Sequence, residues 1–268
     1  MNTDKPIGIF DSGIGGLTVA HAINTLLPNE KIIYFGDTQH LPYGNKSSKM
    51  INYYSEKIVD FLLKKECKAI VIACNSASSI AFQNLLKKTT KKCILFNVID
   101  PLIDAVVNDD TIKNVGVIGT SATISTNIYE KHIYAEKSDI RVTSLATPLL
   151  ASLIEEDNQE LYERGIIESY LSDKKLNNID ALILGCTHYP LIKSKISRYY
   201  NHKIKLLSIL EYIGFNIKKK LKSKKLLNKN KIIPQHNFYV SDYTDNFQKN
   251  THLFFPTAII LEEENLFS

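Results

Sequence analysis

Seven short runs of apolar residues recur through the first two hundred positions, and a segment with helical periodicity follows most of them. The runs are Ile7 to Phe10, Lys31 to Gly36, Ala69 to Ala73, Cys93 to Val98, Val115 to Ile118, Arg141 to Leu145 and Ala181 to Leu184. Each is read as a short strand covered on both faces. Helical patterns read at Leu17 to Leu27, Lys49 to Lys65, Ser78 to Lys87, Thr126 to Ala135 and Glu160 to Ser172. Strand and helix in regular succession predict doubly wound, mainly parallel α/β architecture.

The pattern also repeats. Ile7-Gly8-Ile9-Phe10-Asp11-Ser12 is an apolar strand running into a polar turn, and Val115-Gly116-Val117-Ile118-Gly119-Thr120 has the same form 108 residues later. Asp11 precedes Cys74 by 63 residues and Gly119 precedes Cys186 by 67. This predicts two pseudo-symmetric α/β domains facing across a cleft, with strand ends from both pointing into it. The boundaries fall near Val98 and Leu207. Residues 1–98 with 208–268 form the first domain, which carries Asp11 and Cys74, and residues 99–207 form the second, which carries Cys186. A basic helix, a strand at Asn237 to Val240 and the apolar segment Leu253 to Ile260 return to complete the first domain.

At 268 residues and 44% apolar content the chain has ample material for packed cores. No stretch has the length of a transmembrane helix, and MNTDKPIGIF lacks the basic and apolar regions of a signal peptide, so a cytoplasmic protein without a membrane partner or an N-terminal regulatory extension is expected. Its four cysteines (Cys67, Cys74, Cys93, Cys186) are then expected as free thiols, and no paired C-x-x-C zinc spacing occurs. The net charge of +5 is concentrated in Lys218 to Lys231, with eight lysines. That segment lacks interleaved aromatics for base stacking and follows LLSILEYIGFNI; it reads as the solvated end of an amphipathic helix rather than a nucleic-acid contact.

Two of the cysteines carry a signal for chemistry. Cys74 closes the run AIVIAC and is followed by Asn75 and Ser76; Cys186 closes ALILGC and is followed by Thr187 and His188. A thiol at the start of a helix, next to polar groups, is placed to form a thiolate. Cys67 and Cys93 have no such neighbours and read as packing residues. His188 reads as an acid/base partner, an orienting group or a structural histidine. The turn Asp11-Ser12-Gly13-Ile14-Gly15-Gly16 lacks the spacing of a dinucleotide loop, and its glycines suggest backbone amides approaching a small anion. No metal cluster and no marked Schiff-base lysine are visible.

Together, Asp11-Ser12-Gly13-Ile14-Gly15-Gly16, Asp37 with Leu41-Pro42-Tyr43-Gly44, Ala73-Cys74-Asn75-Ser76-Ala77, Gly119-Thr120 with Ala122-Thr123, and Gly185-Cys186-Thr187-His188-Tyr189-Pro190 resemble the glutamate racemase family of the aspartate/glutamate racemase superfamily. The resemblance spans almost the whole chain, and Ser76 departs from the family's usual Thr while keeping the hydroxyl. It implies cofactor-independent interconversion of L- and D-glutamate, supplying D-glutamate for peptidoglycan precursors. One thiol would remove the α-proton and the other return a proton to the opposite face. Cys74 would act on D-glutamate assisted by Asp11, and Cys186 on L-glutamate assisted by His188. Ser12, Asn75, Ser76, Thr120, Thr123 and Thr187 would hold the α-amino and α-carboxylate groups. Pro42, Tyr43 and Gly44 would meet the side-chain carboxylate. Glu155, in SLIEED, reads more safely as a solvated helix end. A racemase for aspartate or another amino acid, or a binding module, would share the fold, and a homodimer is left open.

Overall fold

The computed structural model describes residues 2–155, 165–230 and 232–267. The first half runs β1 (Ile7–Asp11), α1 (Leu17–Leu26), β2 (Ile32–Gly36), α2 (Ser48–Lys64), β3 (Ala69–Ile72), α3 (Asn75–Thr89), β4 (Ile94–Asn97) and α4 (Asp100–Val107). A second series follows: β5 (Asn114–Gly119), α5 (Ser121–Ser125), α6 (Ile128–Glu136), β6 (Arg141–Ala146), α7 (Leu150–Glu155), α8 (Ile167–Leu171), β7 (Ala181–Gly185), α9 (Lys193–Tyr199) and β8 (Lys205–Leu207). The chain then forms α10 (Ile213–Ser223), β9 (Asn237–Val240), α11 (Asp245–Phe254) and β10 (Leu261–Glu263).

All pairings are parallel. The first sheet has the order β10-β9-β2-β1-β3-β4 and the second β6-β5-β7-β8. Strands two, one, three and four of each series therefore lie in the same order, the structural counterpart of the sequence repeat. In each sheet the chain steps from the first strand to one side and then crosses to the other. The crevice where the direction switches lies at the carboxyl ends of β1 and β3 in one sheet and of β5 and β7 in the other, the positions where α/β sheets bind ligands. Asp11 ends β1, Cys74 follows β3, Gly119 ends β5 and Cys186 follows β7.

The strands alternate between two layers. Ile7 and Ile9 of β1, Val115 and Val117 of β5, and Ala181 and Ile183 of β7 belong to one core that includes residues of α1 and α10. Phe10 faces a second layer with Ile58 and Leu62 of α2, and Ile118 faces a third with Ile154 of α7 and Tyr189. Burial on both faces explains why these strands read as uninterrupted apolar runs. On α10, Ile213, Ile217 and Leu221 are buried while Lys218, Lys219, Lys220 and Lys222 are exposed, an amphipathic helix as the sequence predicts.

Some local expectations change. The predicted helix at Glu160 to Ser172 lies partly outside the described residues; the described part contains α8. Leu253 to Ile260 does not form a strand of its own: Leu253 and Phe254 end α11, and β10 begins at Leu261. Cys186 does not start an α-helix. It leads through a turn into a 3-10 segment at Tyr189–Ile192 that contains Pro190, and α9 begins only at Lys193. None of the described helices is long and apolar enough to cross a membrane.

Candidate active site

The two crevices meet at one small cavity. Ser12, Pro42, Tyr43, Gly44, Cys74, Asn75, Ser76, Thr120, Cys186, Thr187 and His188 all line it, joined by Leu41, Ala151, Ser152 and Glu155. Asp11 and Thr123 stand directly behind this lining. Larger hollows elsewhere, around Lys64 to Lys68 and around Asn97 and Lys219, are open to solvent and contain neither motif cysteine.

Cys74 caps the N-terminus of α3 with extended backbone, so its thiol stands over the first turn of a 15-residue helix. It points its hydrogen toward Ser12 Oγ at 3.7 Å. Burial, reinforced by the charge of Asp11, pushes the thiol up to about 12, against the opposing pull of the Ala77 amide and Ser12. Asp11 is itself fully buried. Its Oδ2 accepts from the amides of Gly13 (3.2 Å) and Gly16 (3.0 Å), while Oδ1 has no partner among the described residues. The anion held by the glycine turn is thus the protein's own carboxylate, where the sequence suggested room for a bound anion. Burial raises the Asp11 carboxyl above its ordinary range, with the charge of His188 and the two amides opposing.

The opposite wall is built around His188. Its Nδ1 lies 3.5 Å from Cys186 Sγ and its Nε2 lies 2.8 Å from Glu155 Oε1. Burial alone would lower the imidazole, but the negative charges of Glu155 and Cys186 outweigh it and hold His188 well above its ordinary value. Glu155 is therefore not a solvated helix end. Its carboxylate turns into the cavity from the end of α7, and Asn250 of α11 donates to its backbone carbonyl at 3.1 Å. The edge of the His188 ring meets Phe254, with centroids 5.6 Å apart.

Hydroxyls knit the halves together between these walls. Ser76 Oγ lies 2.8 Å from Thr120 Oγ1 and 3.5 Å from Thr123 Oγ1. Thr120 caps α5 by accepting from the Thr123 amide at 3.2 Å. Thr18 of α1 donates to the carbonyl of Thr187 at 3.1 Å. At the Pro42 to Gly44 segment, Tyr43 donates to Asp37 Oδ2 at 2.6 Å, and Ser241 beyond β9 donates to Asp37 Oδ1 at 2.8 Å. A side chain on Gly44 would stand 2.7 Å from Thr120 Cβ, so a glycine permits that close approach of the two halves.

The sequence marks Leu41 only as part of the Leu41-Pro42-Tyr43-Gly44 motif, gives no local chemical signal for Ala151 or Ser152, and undervalues Glu155. The partner that defines Glu155 is 33 residues away in the chain, and only the fold brings them together.

Two thiols, one past a strand end of each sheet, thus line one small cavity, with Asp11 behind Cys74 and His188 beside Cys186. A family model described as Asp/Glu/Hydantoin racemase matches residues 10–210. The chain belongs to this family of racemases, and it is an enzyme. It is 38% identical over 257 residues to the glutamate racemase of Chlorobium phaeobacteroides, covering 96% of this chain and 94% of the relative. The crystal structure of glutamate racemase from Francisella tularensis in complex with D-glutamate superposes with a TM-score of 0.89 at 38% identity, covering 99% of each chain. The RacE1 isoform of Bacillus anthracis glutamate racemase superposes with a TM-score of 0.93 at 32% identity, again covering 99% of each.

Proposed function

We propose that this chain interconverts L- and D-glutamate without a cofactor, Cys74 and Cys186 exchanging the α-proton from opposite sides of the substrate. The observation that carries the reading is the convergence of the two thiols on one small cavity, each beside its own partner: Asp11 behind Cys74 and His188 against Cys186. Inversion calls for two groups, because a single base tends to return the proton to the face it left.

In this reading Cys74 deprotonates D-glutamate with help from Asp11, and Cys186 deprotonates L-glutamate with help from His188. A thiol held near 12 is almost wholly protonated at neutral pH, so little thiolate is present to take the α-proton. The substrate's ammonium group brings a positive charge beside it, which favours the thiolate as substrate binds. Ser12, Asn75, Ser76, Thr120, Thr123 and Thr187 hold the α-amino and α-carboxylate groups, and those that donate to the carboxylate meet the charge that develops on it. Each well-placed donor of this kind is worth roughly 3 kcal/mol in other enzymes. Pro42, Tyr43 and Gly44 receive the side-chain carboxylate. The domain division at 1–98 with 208–268 against 99–207 puts one thiol in each domain. The biological role that follows is cytoplasmic supply of D-glutamate for peptidoglycan precursors.

The test is incubation of reduced protein with L-glutamate, without added cofactor, followed by circular dichroism, with L-aspartate in parallel. Decay of the L-glutamate signal to zero, with aspartate unchanged, is the expected result. A constant glutamate signal would refute the reading, and decay with aspartate alone would reassign the substrate. Cys74→Ala and Cys186→Ala should each abolish the decay.

A further inference from the structure

Tyr129 lies on α6, in the second series of elements, yet its one side-chain hydrogen bond among the described residues goes to the first. The phenol donates to Asn75 Oδ1 at 2.8 Å. Both residues are 2% exposed. The ring fits beside Gly185, the residue before Cys186, where an added Cβ would stand 3.7 Å from Tyr129 Cε2. Tyr129 therefore packs against the strand end that carries one motif cysteine while it bonds the residue that follows the other.

The opposite end of the Asn75 side chain is unusual. Asn75 lines the cavity, and its buried Nδ2 has no partner among the described residues. An unpaired buried donor costs about 1–3 kcal/mol, so a site that keeps one has a ligand acceptor for it. An amide can present either end, and which end faces the cavity is decided by the bond at the other. A phenol has one proton to give. With Asn75 Oδ1 accepting it, both ends of that bond are satisfied; with the amide reversed, the phenol proton would be buried without an acceptor. Burial also raises the Tyr129 phenol above its ordinary range, so it stays a donor across the working pH.

We propose that Tyr129 is a positioning residue for substrate binding, fixing the Asn75 amide across the boundary between the two sheets so that Nδ2 meets a carboxylate oxygen of the bound amino acid. The proposal rests on the reading of Asn75 as a substrate contact. Without the phenol the amide is free to turn its carbonyl oxygen toward the carboxylate, and an attraction becomes a repulsion.

The experiment is a double-mutant cycle. KM and kcat for both glutamate enantiomers are measured for the wild type, Tyr129→Phe, Asn75→Ala and the double variant, with thermal melts of each. Tyr129→Phe should raise KM about tenfold, the scale of one hydrogen bond to a charged group. In the Asn75→Ala background the same change should alter KM by less than about twofold, because a residue acting through Asn75 has nothing left to act on. Equal factors in both backgrounds, or an unchanged KM in Tyr129→Phe, overturn the proposal. Asn75→Asp tests it independently of how Tyr129→Phe folds: it keeps an acceptor for Tyr129 and puts a carboxylate oxygen, which repels the substrate carboxylate, where the donor stood. KM should rise at least as far as in Asn75→Ala, and an unchanged KM overturns the proposal. A wild type that does not racemise glutamate overturns the functional reading itself, a result distinct from an active enzyme indifferent to Tyr129→Phe.

Discussion

His188 occupies the space where a side chain on Gly15 would stand. A Cβ built there lies 2.3 Å from Cε1, 2.6 Å from Nε2 and 2.8 Å from Nδ1. Comfortable carbon contacts begin near 3.5 Å, so in Gly15→Ala the ring and the turn must separate by about 1 Å. The ring has no free direction to take: Glu155 holds Nε2 at 2.8 Å, Cys186 lies 3.5 Å from Nδ1, and Phe254 meets its edge. Misplacing a catalytic group by about 1 Å costs on the order of 100-fold in rate, and overpacking of this kind destabilises by roughly 1–3 kcal/mol. We expect kcat/KM to fall about 100-fold while the protein still folds. The assay is polarimetric racemisation run from each enantiomer, beside a thermal melt. Enantiomers have equal free energy in water, so kcat/KM must fall by the same factor in both directions, and only kcat and KM separately can differ between them. Wild-type kcat/KM in Gly15→Ala would refute the assignment of His188 to the reaction.

Other perturbations separate the parts of the site. Glu155→Gln removes the carboxylate paired with His188 and should lower kcat/KM about tenfold, with the alkaline limb of the pH profile moving to lower pH because the imidazolium loses its support. The same pair carries a stability signature. The folded protein holds the His188 proton more tightly than the unfolded chain, so this stabilisation is fully present below the ordinary imidazole range and fades as pH rises through the raised value. The melting difference between wild type and Glu155→Gln should therefore shrink from pH 6 toward alkaline pH, and a growing difference would contradict the pairing. Gly44→Ala brings a Cβ to 2.7 Å from Thr120 Cβ and should raise KM about tenfold with little loss of stability. Away from the site, Lys68 and Glu30 form a buried ion pair at 2.5 Å, with Lys68 also donating to the carbonyls of Thr3 and Leu226. Lys68→Met leaves the buried Glu30 carboxylate without its cation, with the Asn228 amide still donating to Oε1, and should cost about 3–5 kcal/mol in urea unfolding. A loss below about 1 kcal/mol would show that the carboxylate finds another partner.

Much of this arrangement is legible in the chain because its physical causes are local. Doubly buried strands must be apolar throughout, and each motif cysteine sits one or two residues past such a strand, so the alternation announces both the sheets and the crevices at their ends. The repeat in spacing becomes the shared strand order of the two sheets. Three-residue β8 is too short to give a pattern, and Pro190 turns the segment after Cys186 into a 3-10 turn despite its likeness to the helix start at Cys74. Glu155 and Tyr129 were harder to read for a different reason. A carboxylate at a helix end and an aromatic in a helix are ordinary residues locally, and their meaning comes from His188 and Asn75, which only tertiary structure places beside them. Asp37 is legible as part of a motif, but its place under Tyr43 and Ser241 likewise comes from the fold.

The central claim is that two thiols serve opposite faces of one substrate. Its most direct test is racemisation of L-glutamate in deuterated water, stopped at low conversion, with the α-hydrogen of both enantiomers read by NMR and mass spectrometry. The account predicts D-glutamate carrying solvent deuterium at the α-carbon while the remaining L-glutamate keeps its proton. D-glutamate that retains the original proton would mean that a single group carries it from one face to the other, and would contradict the account.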